Sequence, residues 1–334
     1  MLALPTYRTT RILLVRLSHM GDALHALPVF HALRECHAKA EIWWVIQPEF
    51  AGFLDGLPGL QGVIPYHRRG GLAGWRNLAR SLRRLNFDCA INAQGNWKGA
   101  AVARLTGAPI RLATHKLDWR EGSASWLANQ YAEPARGPHA MHRMQALCQA
   151  IGSNAPLRWD LPLSQEELQE GQAALTKLLP GTGPGRILHL SAPGDARSWE
   201  AENYAILARS LAAAGEQVLC LSGPSEEQMG ARLAQALSGT SDVTHLIGQR
   251  GLRSLAALLA AAAARNMRML ATDSGPSHMA CAVALPVDLL AGPTYPDRTG
   301  PWPVGQPNRY LQDMDTRSMG SLDPARVQRW LHSS

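Results

Sequence analysis

Two short segments of the chain carry carboxylate, hydroxyl and imidazole side chains beside glycine, a combination that suits catalysis. In the first, Asp22 follows Met20-Gly21 shortly after a β-branched and leucine-rich run. In the second, Asp273-Ser274-Gly275 and His278 follow the apolar run 267–272. A glycine turn between a strand and a helix places such side chains at the carboxyl edge of a parallel sheet, where ligands bind. We therefore expect both segments to belong to ligand sites.

Two roles are open to Asp22. At the beginning of a helix, an aspartate caps free backbone N–H groups. A carboxylate that faces a cleft is instead a general base, which takes the proton of a substrate hydroxyl within hydrogen-bond reach. One aspartate can fill both roles.

The second segment predicts a phosphate site. The free N–H groups and the positive dipole end at the beginning of a helix favour an anion. Gly275 lets the backbone approach that anion closely, and His278 can donate to a diphosphate oxygen. The alternative is that Asp273 caps the helix and that His278 is a histidine with its hydrogen bonds satisfied within the protein.

Three further side chains are candidates for the same site. Ser191 begins a loop after the predicted strand 186–190, and Arg197 in that loop can neutralise a departing diphosphate. Otherwise Arg197 is an exposed loop charge. Glu226 begins a helix, where it either accepts hydrogen bonds from ribose hydroxyls or complements the helix dipole.

Neither a metal nor a cofactor is expected. The N-terminal histidines recur every six residues, but six residues rotate a helix by about 240°, so these side chains do not converge. HExxH and paired cysteines are absent. Cations and a helix dipole must then stabilise a leaving group. The histidines of this series are His19, His25, His31 and His37.

Charge is distributed unevenly along the chain. Residues 1–155 hold 18 Lys+Arg against 9 Asp+Glu, and residues 156–334 hold 15 against 17, which gives +9 and −2. The first half therefore predicts an anionic partner. Nucleic acid is not expected as this partner, because no RNA- or DNA-binding motif accompanies the arginines. A phosphorylated lipid and an acidic sugar are equally open as anionic partners. The alternative is that Arg76, Arg80, Arg83 and Arg84 form the solvated face of a helix whose buried stripe is Trp75, Leu78, Leu82 and Leu85. The arginines concerned are Arg68, Arg69, Arg76, Arg80, Arg83 and Arg84.

Strands alternate with helical patterns in both halves, which predicts an α/β protein with parallel sheets. A chain of 334 residues suits two domains. We expect them at 1–160 and 161–334, as two Rossmann-like doubly wound domains facing across a cleft. The hinge is expected at about 153–185, and a C-terminal helix at about 323–331 is expected to pack back on the first domain. GxGxxG is absent, which disfavours a dinucleotide dehydrogenase.

The five cysteines are widely spaced and form no CxxC pair, which predicts reduced, buried thiols. The apolar run 12–15 is far shorter than the core of a signal peptide, and the longest apolar stretch, 255–264, is about half a membrane span. We expect a cytoplasmic protein whose membrane contact is peripheral.

The run ILLVRLSHMGDALHALP at 12–28 closely resembles the opening of the bacterial lipopolysaccharide heptosyltransferases, the ADP-heptose-dependent enzymes of types I and II. INAQGNWK at 91–98, TDSGPSHMA at 272–280 and GPT at 292–294 follow in the order of that family. The resemblance implies the GT-B fold, an inverting glycosyl transfer and ADP-heptose as donor. It also implies an anionic, Kdo-containing lipid A acceptor at the cytoplasmic face of the inner membrane.

The same resemblance implies roles for individual residues. Asp22 matches the catalytic base, Arg197 stands where a phosphate-binding lysine is common, and Glu226 stands where a glutamate binds ribose. The residues implied for donor binding are Ser191, Arg197, Glu226, Asp273, Ser274, Gly275 and His278. The residues expected to bind the acceptor are Ser18, Gly21, Arg68, Arg69, Gln94, Lys98, Arg120 and Arg143.

Two departures from the family pattern concern the donor more than the reaction. His19 stands where a small hydroxyl residue is usual, and Ala192-Pro193 replace hydroxyl residues that often touch the donor phosphates. Alternative functions remain open at this point. They are transfer of another nucleotide-linked sugar or to another acceptor, epimerisation of a sugar nucleotide on the same fold, and non-catalytic binding to an anionic surface.

Overall fold

A computed structural model describes residues 10–119, 122–181, 183–240, 243–248 and 251–333. The chain divides into two compact units, Met1–Leu161 (unit 1) and Pro162–Ser334 (unit 2). Each unit holds its own six-stranded sheet, and the strand pairings in both sheets are parallel. The predicted pair of parallel α/β halves is therefore confirmed.

The sheet of unit 1 has the strand order β3-β2-β1-β4-β5-β6. This order reverses beside β1, and right-handed crossovers then place helices on both faces of the sheet. The strands are β1 (Arg11–Val15), β2 (Glu41–Ile46), β3 (Leu60–Pro65), β4 (Cys89–Asn92), β5 (Ile110–Ala113) and β6 (Gln130–Tyr131). The helices are α1 (Met20–Leu24), α2 (Leu27–Cys36), α3 (Pro48–Ala51), α4 (Gly71–Arg84), α5 (Trp97–Leu105) and α6 (Ala140–Ile151).

The central strands β1, β2 and β4 of unit 1 are mostly apolar and buried because helices cover both faces of the sheet. Residues 12–15 of β1 are fully buried. Leu78 and Leu82 of α4 are buried, as its stripe predicted, with Trp75 and Leu85 partly buried beside the core. The predicted single helix after β1 is in fact two, because α1 ends at Leu24 and a second helix begins with proline in its first turn.

The sheet of unit 2 repeats this topology in the order β12-β11-β10-β7-β8-β9. The strands are β7 (Gly185–His189), β8 (Gln217–Ser222), β9 (Val243–Ile247), β10 (Arg268–Thr272), β11 (Val287–Ala291) and β12 (Arg309–Gln312). The helices are α7 (Gln165–Leu178), α8 (Ala201–Ala213), α9 (Glu227–Ala236), α10 (Leu252–Ala264), α11 (Gly275–Ala282), α12 (Pro296–Thr299) and α13 (Pro324–His332).

A buried ionic cluster closes the amino edge of the sheet in unit 2. The fully buried carboxylate of Asp288 lies 2.5 Å from Arg186, 2.7 Å from Arg268 and 2.6 Å from Arg309. Burial by itself would raise the pKa of Asp288, but hydrogen bonds from Arg268 and Arg309 and the charge of Arg186 hold it below the usual range. The three arginines therefore compensate the charge of one buried carboxylate, and these contacts link strands β7, β10, β11 and β12.

The stretch expected to be a hinge contains α7, a helix of 14 residues. Ser164 caps this helix by accepting from the Glu167 N–H, and the Glu167 carboxylate accepts from the Ser164 N–H at 2.7 Å. Gly171 allows α7 to approach α10 closely, because a Cβ added there would lie 2.2 Å from the carbonyl oxygen of Ala257. Helix α7 is therefore part of unit 2, and the boundary between the two units, after Leu161, lies within the expected range.

The C-terminal helix packs within unit 2, although it was expected to pack back on the first domain. Val327 and Leu331 of α13 are buried in the core that α8 also lines. Arg309 stacks over the ring of Trp330 at 4.6 Å and donates to the carbonyl oxygen of Leu331 at 3.2 Å. Periodicity reveals that the helix has an apolar face, but it does not identify the surface that covers this face.

No helix in the described ranges combines the length and the apolar composition that crossing a membrane requires. All five cysteines are free thiols, and four of them are buried. Cys36, the last residue of α2, is exposed, so the expectation that every thiol is buried was wrong for this residue.

Candidate active site

Asp22 lies in the first turn of α1, immediately beyond the carboxyl end of β1. Its carboxylate contacts Arg16, whose Nη2 lies 2.7 Å from Oδ1. Arg16 is itself fixed, because its Nε donates to the Asp22 carbonyl at 2.9 Å and its Nη1 to the Ala93 carbonyl at 2.5 Å. The helix begins after His19 without a side-chain cap, so capping is not the role of this carboxylate.

The second carboxylate oxygen of Asp22 has a different environment. Oδ2 lies 3.9 Å from Nδ1 of His19, which is beyond hydrogen-bond distance. The Asp22 side chain is 35% exposed. Within the described part of the chain, Oδ2 therefore has no hydrogen-bond donor. One oxygen is anchored and the other is accessible, as a general base requires.

Ser18 and Gln94, two of the residues predicted to bind the acceptor, lie together at the carboxyl ends of β1 and β4. The Gln94 side chain accepts from the Leu17 N–H at 2.8 Å and donates to the Ser18 hydroxyl at 3.5 Å. Asn92 in turn accepts from the Gln94 N–H at 3.0 Å. Gly21, also predicted for this site, is buried within α1. The side chain of Gln94 thus holds the loop that leads to Asp22.

The predicted acceptor cations lie in separate places within unit 1. Arg68 and Arg69 are exposed and line a pocket that follows β2 and β3, with Gln47, Glu49, His67 and Gly70. Lys98 lies over the Trp97 ring at 5.9 Å. Arg143 is half-buried on α6. Arg120 lies outside the described residues.

In unit 2, Arg197 connects two segments that are far apart in sequence. Its Nε and Nη2 donate to the Asp195 carboxylate at 2.9 and 2.6 Å, and its Nη1 donates to the carbonyl of Asp273 at 2.9 Å. Three of the five guanidinium N–H groups are used in this way. The side chain is 43% exposed, so the remaining donors can reach a ligand. Arg197 is therefore an anchored cation and not a free loop charge.

Asp195 remains ionised over the physiological pH range. A hydrogen bond from Arg197 lowers the pKa of Asp195 to about 2, although partial burial opposes the change. The same pair raises the pKa of Arg197. The geometry of this ion pair should therefore not change between acidic and neutral pH.

The segment at Asp273 begins α11. Ser274 is the N-cap position and Gly275 is the first helical residue, so Asp273 is not the cap. The hydroxyl of Ser277 donates to the Ser274 carbonyl at 2.7 Å. Asp273 instead faces His278, with Oδ1 lying 3.4 Å from Nε2, and both side chains are buried. Through its bond to Arg197, the Asp273 segment is joined to the loop after β7.

Three buried hydroxyl oxygens near the carboxyl edge of this sheet have no hydrogen-bond partner among the described residues. They belong to Ser222 at the end of β8, Ser274 after β10 and Thr294 after β11. A buried polar group without a partner is uncommon and needs an explanation, such as a ligand. Ser222 and Thr294 were not among the predicted site residues. Their position after strands could have identified both, and Thr294 also lies in the segment GPT at 292–294 that carries the family resemblance.

Two predicted donor residues are used within their own loops. The Ser191 hydroxyl accepts from the Trp199 N–H at 2.9 Å. The Glu226 carboxylate accepts from the Gly223 N–H at 2.7 Å, so it caps its own turn. Burial lowers the pKa of the neighbouring His189, although the charge of Glu226 opposes this change. His189 is therefore a neutral imidazole at the end of β7.

No group of three or more histidine, cysteine, aspartate or glutamate side chains in the described ranges is arranged to hold a metal ion. The cations and neutral polar groups described above are therefore the groups that this part of the chain offers to an anionic ligand.

The chain matches the family model described as glycosyltransferase family 9 (heptosyltransferase) over residues 75–319. It is 27% identical to lipopolysaccharide heptosyltransferase 1 of Escherichia coli K12, across 87% of this chain and 90% of the relative. It is 28% identical to the heptosyltransferase 1 of Pseudomonas aeruginosa, across 87% and 81%. The solved structure of E. coli heptosyltransferase WaaC with ADP superposes with a TM-score of 0.77 at 25% identity, across 96% of this chain and 99% of that chain.

These matches cover nearly the whole chain, and they include both doubly wound sheets. They confirm the predicted GT-B fold class and the predicted family resemblance. The chain therefore belongs to glycosyltransferase family 9, the heptosyltransferases, and it is a glycosyltransferase.

Proposed function

We propose that this protein transfers heptose from ADP-heptose to the Kdo and heptose inner core of lipopolysaccharide, with inversion and without a metal or cofactor. Asp22 is the general base in this proposal. The observation that carries it is the Asp22 carboxylate, with Oδ1 held by Arg16 and Oδ2 accessible, in a chain that belongs to the heptosyltransferases. The relatives named lipopolysaccharide heptosyltransferase and the structure solved with ADP support the donor and the acceptor.

In the proposed reaction, an acceptor hydroxyl gives its proton to Oδ2 of Asp22 while its oxygen attacks the anomeric carbon of the donor. The bond from that carbon to the diphosphate oxygen breaks, and ADP leaves with the electron pair. Attack from the face opposite ADP inverts the anomeric configuration. Arg16 keeps the carboxylate oriented, since it holds the oxygen that does not receive the proton.

Unit 2 binds the donor in this proposal. Arg197, the N-terminal end of α11 and His278 offset the charge that develops on the diphosphate, a preorganised effect of about 3 kcal/mol or more. The unpartnered hydroxyl of Ser274 donates to a phosphate oxygen. Glu226 accepts from the ribose, and Ser191 and Asp273 hold the loops that carry these groups.

Unit 1 binds the acceptor. Arg68 and Arg69 at the pocket after β3, together with Lys98, attract the carboxylates and phosphates of a Kdo-lipid. Ser18 and Gln94 border the base. Because its acceptor is a lipid, the protein works as a peripheral protein at the cytoplasmic face of the inner membrane.

The proposal is tested with ADP-heptose and a Kdo-lipid A acceptor, with products read by mass. Asp22→Asn should lower turnover by at least about 100-fold and leave the affinity for ADP-heptose unchanged, because it removes the base but not the donor site. Asp55→Asn, an exposed aspartate of the same unit, is the matched control and should behave like the wild type. Substantial turnover by Asp22→Asn would contradict the assignment of the base.

Two further arms of this experiment separate the alternatives. A chelator should leave the rate unchanged if no metal takes part. Incubation with ADP-heptose alone should give no epimerised sugar nucleotide. Epimerisation without acceptor, or loss of activity with chelator, would overturn the corresponding part of the proposal.

A further inference from the structure

Helix α4 presents a row of arginine side chains to solvent. Arg76, Arg80 and Arg83 follow one another at intervals of four and three residues, so they share one helix face, with Arg84 beside them. All four are exposed, and α4 contains no acidic residue. Their one side-chain partner within the described ranges is Asn77, whose amide oxygen accepts from Arg80 at 3.0 Å. The row is therefore a positive stripe that no carboxylate neutralises.

Large apolar side chains are exposed at the amino-terminal end of this stripe. Leu72, one turn before Arg76, is 79% exposed. Trp75 stacks on Trp97 with ring centroids 6.2 Å apart, and Trp97 is 45% exposed. The apolar stripe of α4 packs in the core of unit 1, so Leu72 and Trp97 are the apolar side chains that this basic surface presents to solvent. Leucine and tryptophan beside arginines are the side chains by which a protein surface binds a membrane interface.

We propose that the surface formed by Leu72, Trp97 and the arginine row of α4 docks on a bilayer that contains anionic lipid. This inference rests on the proposed function, which places the acceptor in a membrane. The beginning of α4 follows β3, so the exposed leucine lies at the carboxyl edge of the sheet, the edge that also carries Asp22. Docking at this surface brings the acceptor-binding edge of unit 1 to the level of the lipid headgroups.

A bilayer explains this surface better than a nucleic acid does. Phosphates of either partner would neutralise the arginines. Tryptophan can stack on a base or enter the boundary between headgroups and acyl chains, but an exposed leucine is taken up only by the bilayer. The partner inferred for this surface is therefore anionic phospholipid, and the experiment also measures binding to an oligonucleotide.

The test is cosedimentation with vesicles of phosphatidylcholine alone or mixed with phosphatidylglycerol, without any substrate. The variant Arg76→Gln/Arg80→Gln/Arg83→Gln should bind the mixed vesicles about 100-fold more weakly than the wild type, since each arginine near an anionic surface contributes about a factor of five. The matched control Arg104→Gln/Lys177→Gln/Arg329→Gln removes three exposed charges from other helices and should lose far less binding. Equal binding by the two triple variants would overturn the inference.

A second variant separates a bilayer from a simple polyanion. Leu72→Ser keeps every charge and should weaken binding to mixed vesicles several-fold while leaving the weak binding to an oligonucleotide unchanged. Tight binding to the oligonucleotide with no binding to vesicles would overturn the inference in favour of nucleic acid. Circular dichroism of each variant verifies that it is folded.

The same variants distinguish this inference from the proposed function. On an acceptor stripped of its acyl chains, the arginine variant should turn over ADP-heptose like the wild type, because no α4 arginine belongs to the proposed site. If the wild type turned over normally and the arginine variant still bound vesicles normally, the docking surface would be wrong and the function would stand. If the wild type bound vesicles through α4 and transferred no heptose, the function would be wrong and the surface would stand.

Discussion

The carboxyl edges of the two sheets carry different kinds of side chain. In unit 1 the edge carries charge: Asp22 against Arg16, with exposed arginines and Lys98 nearby. In unit 2, three buried hydroxyls without partners among the described residues lie near the edge, beside the anchored cation Arg197 and the carboxylates of Asp195, Asp273 and Glu226. The two edges have the same topology, so the difference lies in the side chains that follow each strand.

Under the proposed function, this difference divides the reaction into two tasks. An exposed carboxylate can receive a proton, and exposed cations can attract an anionic acceptor from solution. A buried hydroxyl without a partner costs about 1–3 kcal/mol, a cost that a ligand removes when it binds. Unit 1 is therefore suited to proton transfer and capture, and unit 2 to tight binding of a nucleotide diphosphate.

The amino edge of the sheet in unit 2 differs from both carboxyl edges, because its charges are compensated within the protein. Asp288→Asn should lower the free energy of unfolding by about 3–5 kcal/mol, since Arg268 and Arg309 lose the carboxylate that they contact and Arg186 keeps only Glu216. Chemical denaturation measures this change. Asp297→Asn, at an exposed position of the same unit, is the control and should be nearly neutral. A small loss at Asp288 would show that the arginine cluster does not depend on this anion.

Acid should remove the same stabilisation. The pKa of Asp288 is held below its unfolded value by the arginines, so its contribution is present above about pH 4 and is lost as the pH falls through the lower, folded value. Unfolding free energies of the wild type and Asp288→Asn should therefore converge below about pH 4. A difference that stays constant with pH would contradict a depressed pKa.

The anchored cation of unit 2 gives the next largest effect. Arg197→Gln should weaken ADP binding by about 100-fold. Asp195 holds the Arg197 guanidinium in place, and the substitution removes both its charge and the N–H groups that are still free to bind the diphosphate. Arg232→Gln is the matched control: this arginine is 46% exposed and also pairs with a carboxylate, that of Glu202. Titration calorimetry should show unchanged affinity in the control. Equal losses in both variants would point to net charge and not to position.

The smallest expected effect distinguishes a ligand-facing hydroxyl from a structural one. Ser274→Ala should weaken ADP binding by about tenfold without lowering the melting temperature, because its hydroxyl has no partner within the described protein. Ser277→Ala should lower the unfolding free energy by about 1 kcal/mol, because its hydroxyl donates to the Ser274 carbonyl. If Ser274→Ala destabilised the free protein, its hydroxyl would have a structural role.

Much of the fold could be predicted because buried parallel strands are continuous apolar runs. The predicted strand 186–190 differs from the observed strand β7 by one residue at each end. Strands β5, β6 and β12 lie at or next to a sheet edge and are two to four residues long. Because β5 and β12 are only partly buried and β6 is exposed, they lack an apolar signature. The helix predicted to begin at Glu226 begins one residue later, at Glu227, because Glu226 lies in a 3-10 turn that its carboxylate caps.

The places of the candidate residues in the fold were predictable where sequence position implies spatial position. Strand ends identified Asp22 and the Asp273 segment, and the structure joins the latter to Arg197. No local pattern could show that Arg16 binds the Asp22 carboxylate, because its neighbours suggest only a strand residue. The partners of Ser191 and Glu226 depend on how each loop closes on itself, which spacing alone does not determine.

The division of tasks between the two edges is tested most directly by one paired measurement on Asp22→Asn. The single-turnover rate at saturating ADP-heptose and the dissociation constant for ADP are determined on the same preparation. The rate should fall by about 10²–10⁴-fold while the dissociation constant stays at the wild-type value. A rate within a few-fold of the wild type, or a parallel loss of ADP affinity, would contradict the assignment of proton transfer to unit 1.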